Sequence, residues 1–148
     1  LPSAFLQKTS FSGSKMQALP AITTTSKQAG GIIGMGETFE DRIDMALTLS
    51  GAGVDSIPIN ALMPIKGTPF ENIRQLSEDE ILRTIAMFRF INPQSTIRLA
   101  AGRKLLSNSG EKAFNAGANA MLTGNMRTTS GTTIAGDISL MKKMGRNV

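Results

Sequence analysis

Four short apolar runs alternate with four segments of helical periodicity from residue 30 onward. The apolar runs lack strict alternation of apolar and polar residues, which is typical of strands buried on both faces. The predicted strands are 32–35, 56–60, 96–102 and 120–124. The predicted helices are 39–50, a helix that opens after Ser77 and ends before Pro93, a short helix near 110–116, and 134–144. The pattern therefore predicts a strand followed by a helix, four times in succession.

Two of the helices carry start signals that can be read from residue type and spacing. Thr38 with Asp41 three residues later has capping spacing, and Ser77 with Glu80 has the same spacing. Apolar residues at helical spacing predict which side of each helix is buried. The predicted buried side carries Ile43, Ala46, Leu47 and the small polar Ser50 in the first helix, and Ile81, Leu82, Ile85 and Ala86 in the second.

The order of elements predicts an α/β fold with a parallel sheet covered by helices. The strands end on small or polar residues, namely Gly34 and Gly36, Asn60, Gly102, and Gly124. Because ligands of parallel α/β folds bind at the carboxyl ends of the strands, we expect a site there. Four consecutive βα units are half of a TIM-type (β/α)8 barrel, so we predict half of such a barrel, with open sheet edges.

The segment from Gly30 to Glu37 ends a strand in glycines and leads into the helix that Thr38 caps. Missing side chains let a flat ligand approach the backbone, and a helix N-terminus offers N–H donors. The alternative is a turn that only connects a strand to its helix.

Charge and composition narrow the class of function. The chain has 148 residues, 41% hydrophobic content and a net charge of +5. Residues 30–148 carry 13 basic and 11 acidic residues, and aromatic residues are 5%, all of them Phe. We therefore expect no nucleic-acid surface. No apolar run approaches the roughly 20 residues of a membrane span, so we expect no membrane association.

The chain contains neither Cys nor His. Thiolate nucleophiles, histidine acid–base catalysis and the usual zinc sites are therefore excluded for these residues. Residues 1–29 carry nine Ser or Thr residues, three Lys and no acid. They resemble a transit-peptide-like segment, and the alternative is a disordered or non-homologous terminus. We leave 1–29 unassigned and place the half-barrel at 30–148.

Several short sequence motifs resemble those of one family of enzymes. Gly30-x-Ile32-x-Gly34-x-x-Glu37 matches the G-x-I-x-G-x-x-E element of radical S-adenosylmethionine enzymes. Six longer segments resemble the biotin synthase family in particular. They are GGIIGMGET, SIPIN, KGTPFEN, LRTIAMFRFINP, IRLAAGR and AGANAMLTG. The resemblance runs from about Gly30 to Val148, with 57–148 corresponding to the region that biotin and thiamin synthesis proteins share. It implies that the four βα units are the C-terminal half of the TIM-type (β/α)8 barrel. It implies a cytoplasmic, homodimeric enzyme that inserts sulfur into dethiobiotin, the last step of biotin biosynthesis, by chemistry of a 5′-deoxyadenosyl radical.

The resemblance also implies roles for particular residues. Gly30, Ile32, Gly34 and Glu37 would line the adenosyl part of S-adenosylmethionine, and Met63 would form another side of that pocket. Asn60 would hydrogen-bond the ureido ring of dethiobiotin, and Thr128 and Thr129 would lie near its carboxylate. Arg98 would be a ligand of the [2Fe–2S] cluster.

This chain departs from the family pattern at the cluster ligands. Gln28 stands where the family has a cysteine ligand of the [2Fe–2S] cluster, and the C-x-x-x-C-x-x-C run that holds the [4Fe–4S] cluster is absent. Met126 and Arg127 also replace the usual aromatic or aliphatic pair. Because both clusters need thiolates, we predict a partial biotin synthase that is inactive alone. We predict no catalytic residue in this chain.

Simpler interpretations stay open for the same residues. Arg98 could belong to an ion pair, Asn60 could form a turn, and Thr128 and Thr129 could cap the last helix. For the whole chain, the alternatives are a non-catalytic remnant that binds S-adenosylmethionine and a half-barrel that self-associates through its open edges.

Overall fold

A four-stranded parallel sheet organises the part of the chain that the structure describes. The structure is a computed structural model, and it describes residues 26–124 and 132–146. The strands are Gly31–Ile33 (β1), Ser56–Ala61 (β2), Thr96–Leu99 (β3) and Ala120–Met121 (β4). They lie in the order β1-β2-β3-β4, and every neighbouring pair is parallel. The predicted succession of parallel strands is thereby confirmed.

Three of the four strands end earlier than the apolar runs predicted, whereas β2 extends one residue further, to Ala61. β1 ends at Ile33 rather than Met35, and β3 ends at Leu99 rather than Gly102. The backbone of Gly34 (φ +92°) and of Gly102 (φ +88°) is left-handed, and a left-handed residue cannot continue a strand. The glycines therefore turn the chain away from the sheet at its carboxyl edge.

Four helices follow the strands, at Phe39–Gly51 (α1), Glu78–Ile91 (α2), Glu111–Asn115 (α3) and Ile134–Lys143 (α4). The capping boxes of Thr38 with Asp41 and of Ser77 with Glu80 are both formed. Two 3-10 turns, Arg103–Leu105 and Ser107–Gly110, precede α3 and were not predicted. Within the described ranges, no helix has the length and apolar content to cross a membrane.

The hydrophobic core lies between one face of the sheet and the helices. Alternate strand residues point into it and are buried, together with side chains of α1, α2 and α3. These residues are Ile33, Ile57, Ile59, Ile97 and Leu99 from the strands, and Ala46, Leu49, Ile81, Ile85, Phe88, Ala113 and Phe114 from the helices. The other face, which we call the open face, carries Ile32, Pro58, Asn60, Arg98 and Ala120, and these are half-buried or exposed.

The buried sides of α1 and α2 differ from the predicted ones. α1 buries Arg42, Ala46 and Leu49, whereas Leu47 is 53% exposed and Ser50 is exposed. α2 buries Thr84 and Phe88 beside the predicted Ile81 and Ile85, and Ala86 is exposed. The predictions for Leu47, Ser50 and Ala86 were wrong because Arg42 and Thr84 were assigned to the polar side. Arg42 Nη1 donates to Thr84 Oγ1 at 3.1 Å, so the two polar side chains satisfy each other inside the helix interface.

Pairing with the sheet begins before Gly30. The carbonyl of Lys27 accepts hydrogen bonds from the N–H groups of Asp55 (2.9 Å) and Ser56 (3.2 Å), and the Ala29 N–H donates to the Ser56 carbonyl at 3.2 Å. Gln28 forms a parallel bridge with Ser56. The last residues of the unassigned segment therefore extend the β1 side of the sheet.

Candidate functional site

Three of the predicted site residues share the open face of the sheet. Ile32 is the register partner of Asn60, and Arg98 is the partner of Pro58, two residues before Asn60. Partners in a parallel sheet, and residues two apart on one strand, point to the same side. The register therefore brings Ile32, Asn60 and Arg98 together from segments 28 or more residues apart in the sequence.

The turn from Gly34 to Glu37 is held by the Glu37 carboxylate. Its oxygens accept hydrogen bonds from the N–H groups of Gly34 and Met35, both at 2.7 Å, and from Arg42 Nε at 2.8 Å. Burial alone would raise the pKa of Glu37, but these hydrogen bonds offset it and hold that pKa below the ordinary value of 4.5. Because two N–H groups of the turn donate to Glu37, they are not offered to a ligand. The structure thus gives Glu37 a bracing contact inside its own loop.

Arg42, on α1, supports this turn, and the sequence did not predict that role. Its side chain is 6% exposed and forms an ion pair with Glu37, which is 16% exposed. The signal that would have found it is the spacing of Arg42, Ala46 and Leu49, which puts the arginine in line with two apolar residues on one helix face. An arginine in an apolar stripe needs a buried partner, and Glu37 lies five residues away.

Strand packing explains the first glycine of the motif. A Cβ built on Gly30 would meet the carbonyl oxygen of Pro58 and would lie 2.8 Å from Pro58 Cδ. A Cβ on Gly34 would lie 3.1 Å from Leu76 Cγ. Close packing of β1 on β2 therefore requires Gly30 to lack a side chain, independently of any ligand.

The amide of Asn60 links β2 to β1 and to the loop after β3, and it still has unused hydrogen-bonding groups. Its Nδ2 donates to the Gly31 carbonyl at 3.3 Å, and its Oδ1 accepts from the Ala101 N–H at 3.2 Å. An amide has two N–H donors and two acceptor lone pairs, so one donor and one lone pair of Asn60 remain for a ligand. Met63 is half-buried and follows Leu62, whose N–H donates to the Ile33 carbonyl at 2.9 Å. Met63 therefore lies at the same carboxyl edge as the Gly34–Glu37 turn.

The residues present do not fit an iron–sulfur cluster at Arg98. Arg98 Nη2 donates to Gln28 Oε1 at 2.9 Å, so the structure places Gln28 beside the predicted ligand. The chain has no Cys, and among the described residues no group of three His, Cys, Asp or Glu side chains could hold a metal. A glutamine and a guanidinium supply no thiolate, and iron–sulfur clusters require thiolates.

Thr128 and Thr129 lie outside the described residues, but both ends of their segment are anchored. The Gly124 N–H donates to the Thr132 carbonyl at 3.2 Å. Arg103 forms a buried ion pair with Asp137 of α4 at 2.7 Å, and its Nη1 also donates to the Leu122 carbonyl at 3.2 Å. This pair therefore ties α4 to the end of β4.

A cavity of about 430 Å³ lies apart from the open face. It is formed where α1 and α2 begin, behind the Gly34–Glu37 turn. Its lining residues are Gly34, Gly36, Glu37, Phe39, Arg42, Ile73, Arg74, Leu76, Glu80 and Arg83. Of the predicted site residues, Gly34 and Glu37 line this cavity, whereas Ile32, Asn60 and Arg98 lie on the open face of the sheet.

Successive parallel βα units, with Asn60 and Arg98 on one sheet face, define an α/β protein built on a parallel sheet. The chain belongs to the Biotin and Thiamin Synthesis associated domain family, whose model matches residues 58–147.

Three curated relatives are biotin synthases. The chain is 62% identical over 117 residues to the biotin synthase of Alkaliphilus metalliredigens, a match that covers 79% of this chain and 37% of the relative. It is 58% identical over 120 residues to that of Clostridium perfringens (81% and 38%). It is 52% identical over 120 residues to biotin synthase 2 of Corynebacterium diphtheriae (81% and 36%). The resemblance predicted from the sequence is confirmed, and the chain spans less than two fifths of the length of these relatives.

Proposed function

We propose that the chain supplies four βα units of a biotin synthase (β/α)8 barrel, and that its open face binds S-adenosylmethionine and dethiobiotin. The observation that carries the proposal is the register that sets Ile32, Asn60 and Arg98 on one sheet face. Their strands end at the carboxyl edge, where parallel α/β folds bind ligands. In the whole enzyme, S-adenosylmethionine supplies the hydrogen-abstracting chemistry for the insertion of sulfur into dethiobiotin.

The adenosyl part of the cofactor would lie against β1 and the turn that follows it. Ile32 is 46% exposed on the open face, and an apolar side chain there suits the flat face of an adenine. Gly34 and Glu37 would hold the turn in shape, and Met63 would close the pocket from the loop after β2. Gly30 would act through its packing on Pro58 rather than by touching the ligand.

Dethiobiotin would bind through the unused N–H group and lone pair of the Asn60 amide. A ureido ring presents N–H donors beside a carbonyl acceptor, and Asn60 has one N–H and one lone pair to offer. The two strand contacts of Asn60 fix the plane of the amide, so it is oriented before the ligand arrives. Thr128 and Thr129 would contact the carboxylate of the substrate.

Isothermal titration of the purified chain tests the proposal. We expect saturable binding of S-adenosylmethionine and of dethiobiotin, and we expect Asn60→Asp to weaken dethiobiotin binding by at least about tenfold. The binding of S-adenosylmethionine should change little in that variant, which serves as the internal control for folding. If neither compound binds the unmodified chain, the proposal is wrong.

Reconstitution with iron and sulfide supplies a second test. Because the chain has no thiolate, we expect no visible absorption band of an iron–sulfur cluster. A stable band with stoichiometric iron would show that other side chains hold a cluster and would contradict this assignment.

Self-association is the second candidate function, and exposed apolar side chains favour it. Ile32 is 46% exposed and Leu122 is 40% exposed. A face meant to be covered in a closed barrel would favour pairing with a second copy. Gel filtration at several concentrations separates the candidates, because a self-associating half-barrel would elute as a dimer whether or not S-adenosylmethionine is present.

A further inference from the structure

Arg98 is the one charged residue in the four strands that the structure describes. Its side chain is half-buried on the open face, between Pro58 on β2 and Ala120 on β4. Its Nε is buried and makes no hydrogen bond to any described residue. Independently of this N–H, a partly buried guanidinium is unfavourable unless an anion compensates its charge.

No acidic side chain among the described residues supplies that anion. The ion pairs found there join Glu37, Glu78, Glu80, Glu111 and Asp137 to other basic residues. The remaining described Asp and Glu residues lie on helices or in loops. The single hydrogen bond found for Arg98, to Gln28 Oε1 at 2.9 Å, is to a neutral acceptor.

We infer that Arg98 is the centre of a binding site for the carboxylate group of a small ligand. Gln28 holds Nη2 and fixes the plane of the guanidinium, so that Nη1 and the second N–H of Nη2 remain to bind both oxygens of a carboxylate. The site takes the position for which the family resemblance implied a cluster, and for which this chain has no thiolate.

A carboxylate suits this position better than a phosphate. One guanidinium offers one positive charge and a planar pair of donors, which matches one planar monoanion. The register partners of Arg98, Pro58 and Ala120, are apolar and suit a ligand whose remaining atoms are hydrocarbon. The inference does not depend on the proposed function, because it needs neither the cofactor nor the ureido ring.

The test is a heteronuclear NMR titration of the full chain with sodium acetate, compared with sodium chloride at the same ionic strength. We expect saturable shifts of the Ile97, Arg98, Leu99 and Ala120 amides with acetate only. Arg98→Gln should raise the apparent Kd at least about tenfold. Arg83→Gln, which removes an exposed arginine on α2 away from the open face, should leave it unchanged.

A second variant keeps the inference testable if Arg98→Gln does not fold. Gln28→Glu places a carboxylate of nearly the same shape beside the guanidinium, so it should occupy the site and abolish the response to acetate. Shifts that do not saturate, that chloride reproduces, or that survive in Gln28→Glu would overturn the inference.

Dethiobiotin and its methyl ester then separate this site from the proposed substrate site. Preference for the free acid that disappears in Arg98→Gln supports a carboxylate site at Arg98. Failure of the proposed function has a different signature, since neither S-adenosylmethionine nor the ester would bind while acetate still would.

Discussion

Arg42 Nε lies 2.8 Å from Glu37 Oε1, and this ion pair connects the α1–α2 interface to the turn after β1. Glu37 binds the N–H groups of Gly34 and Met35, while Arg42 reaches Thr84 on α2. A single chain of hydrogen bonds therefore runs from the second helix to the backbone proposed to lie against the cofactor. The shape of that turn depends on the packing of two helices behind it.

Replacement of Arg42 by Met is expected to destabilise the fold strongly. The variant leaves the Glu37 carboxylate, 16% exposed, without its charged partner, and removes a donor to Thr84. Loss of one partner of a buried ion pair typically costs about 3 kcal/mol of the free energy of unfolding. Urea denaturation of the two proteins measures the difference.

Two further variants control this prediction. Arg74→Met breaks the Arg74–Glu80 pair, in which Arg74 is 72% exposed, and should change the stability little. Arg42→Met combined with Glu37→Gln should be less destabilised than the sum of the single changes, because it leaves no unpaired charge. Simple additivity would show that Arg42 stabilises the fold by packing alone.

Much of the fold could be predicted, because strands and helix starts depend on neighbouring residues. The apolar runs and the caps at Thr38 and Ser77 fixed the order of elements correctly. The buried sides of α1 and α2 were partly wrong, since Arg42 and Thr84 are polar residues that become buried only by meeting each other. Periodicity treats every residue separately and cannot reveal such a pair.

Gly102→Ala should be more destabilising than Gly53→Ala. Both glycines have left-handed backbone, with φ of +88° and +63°, so an alanine costs about 1 kcal/mol at either position. A Cβ on Gly102 would also lie 2.5 Å from the Ala61 carbonyl oxygen, whereas one on Gly53 meets nothing within 4 Å. The difference between the urea-unfolding midpoints of the two variants measures the cost of the clash between residue 102 and the end of β2. Equal losses of stability in the two variants would contradict this prediction.

Acid is expected to destabilise the protein through Asp137. Burial alone would raise the pKa of Asp137, but hydrogen bonds from Arg103, Thr132 and Thr123 lower it from 3.8 to about 2. A carboxyl whose pKa is lower in the folded state stabilises above its unfolded pKa and loses that contribution as the pH falls toward the folded one. The loss between about pH 5 and about pH 2 is expected to be about 2 kcal/mol.

The slope of stability against pH, measured by urea unfolding at each pH, isolates this group. Asp137→Asn should be less stable near neutral pH and should show a shallower fall below about pH 4. Glu40→Gln, on the exposed side of α1, should keep the slope of the unmodified chain. If the stability of Asp137→Asn falls with pH as steeply as that of the unmodified chain, other carboxyl groups cause the acid sensitivity.

The candidate site was predictable only in part. The residues of the open face were identified by the resemblance, and their common orientation follows from the strand register. The contact between Gln28 and Arg98 joins residues 70 positions apart and depends on pairing that begins before Gly30. The bracing role of Glu37 could not be predicted either, because the resemblance assigned Glu37 to the cofactor pocket and its partner Arg42 was overlooked.

Gln28→Cys is expected to introduce a thiol of unusually low pKa. Gln28 Oε1 accepts a hydrogen bond from Arg98 Nη2 at 2.9 Å. A cysteine side chain is shorter, so the guanidinium would stabilise its thiolate by charge attraction rather than by the same hydrogen bond. The pKa should fall from about 8.5 by about one unit. Since the chain has no other cysteine, the rate of alkylation by iodoacetamide as a function of pH reports this thiol alone. The same thiol in Gln28→Cys combined with Arg98→Gln should return to the ordinary value, because the cation is gone while the strand pairing of residue 28 remains. An ordinary pKa in the single variant would mean that the two side chains do not meet on the open face.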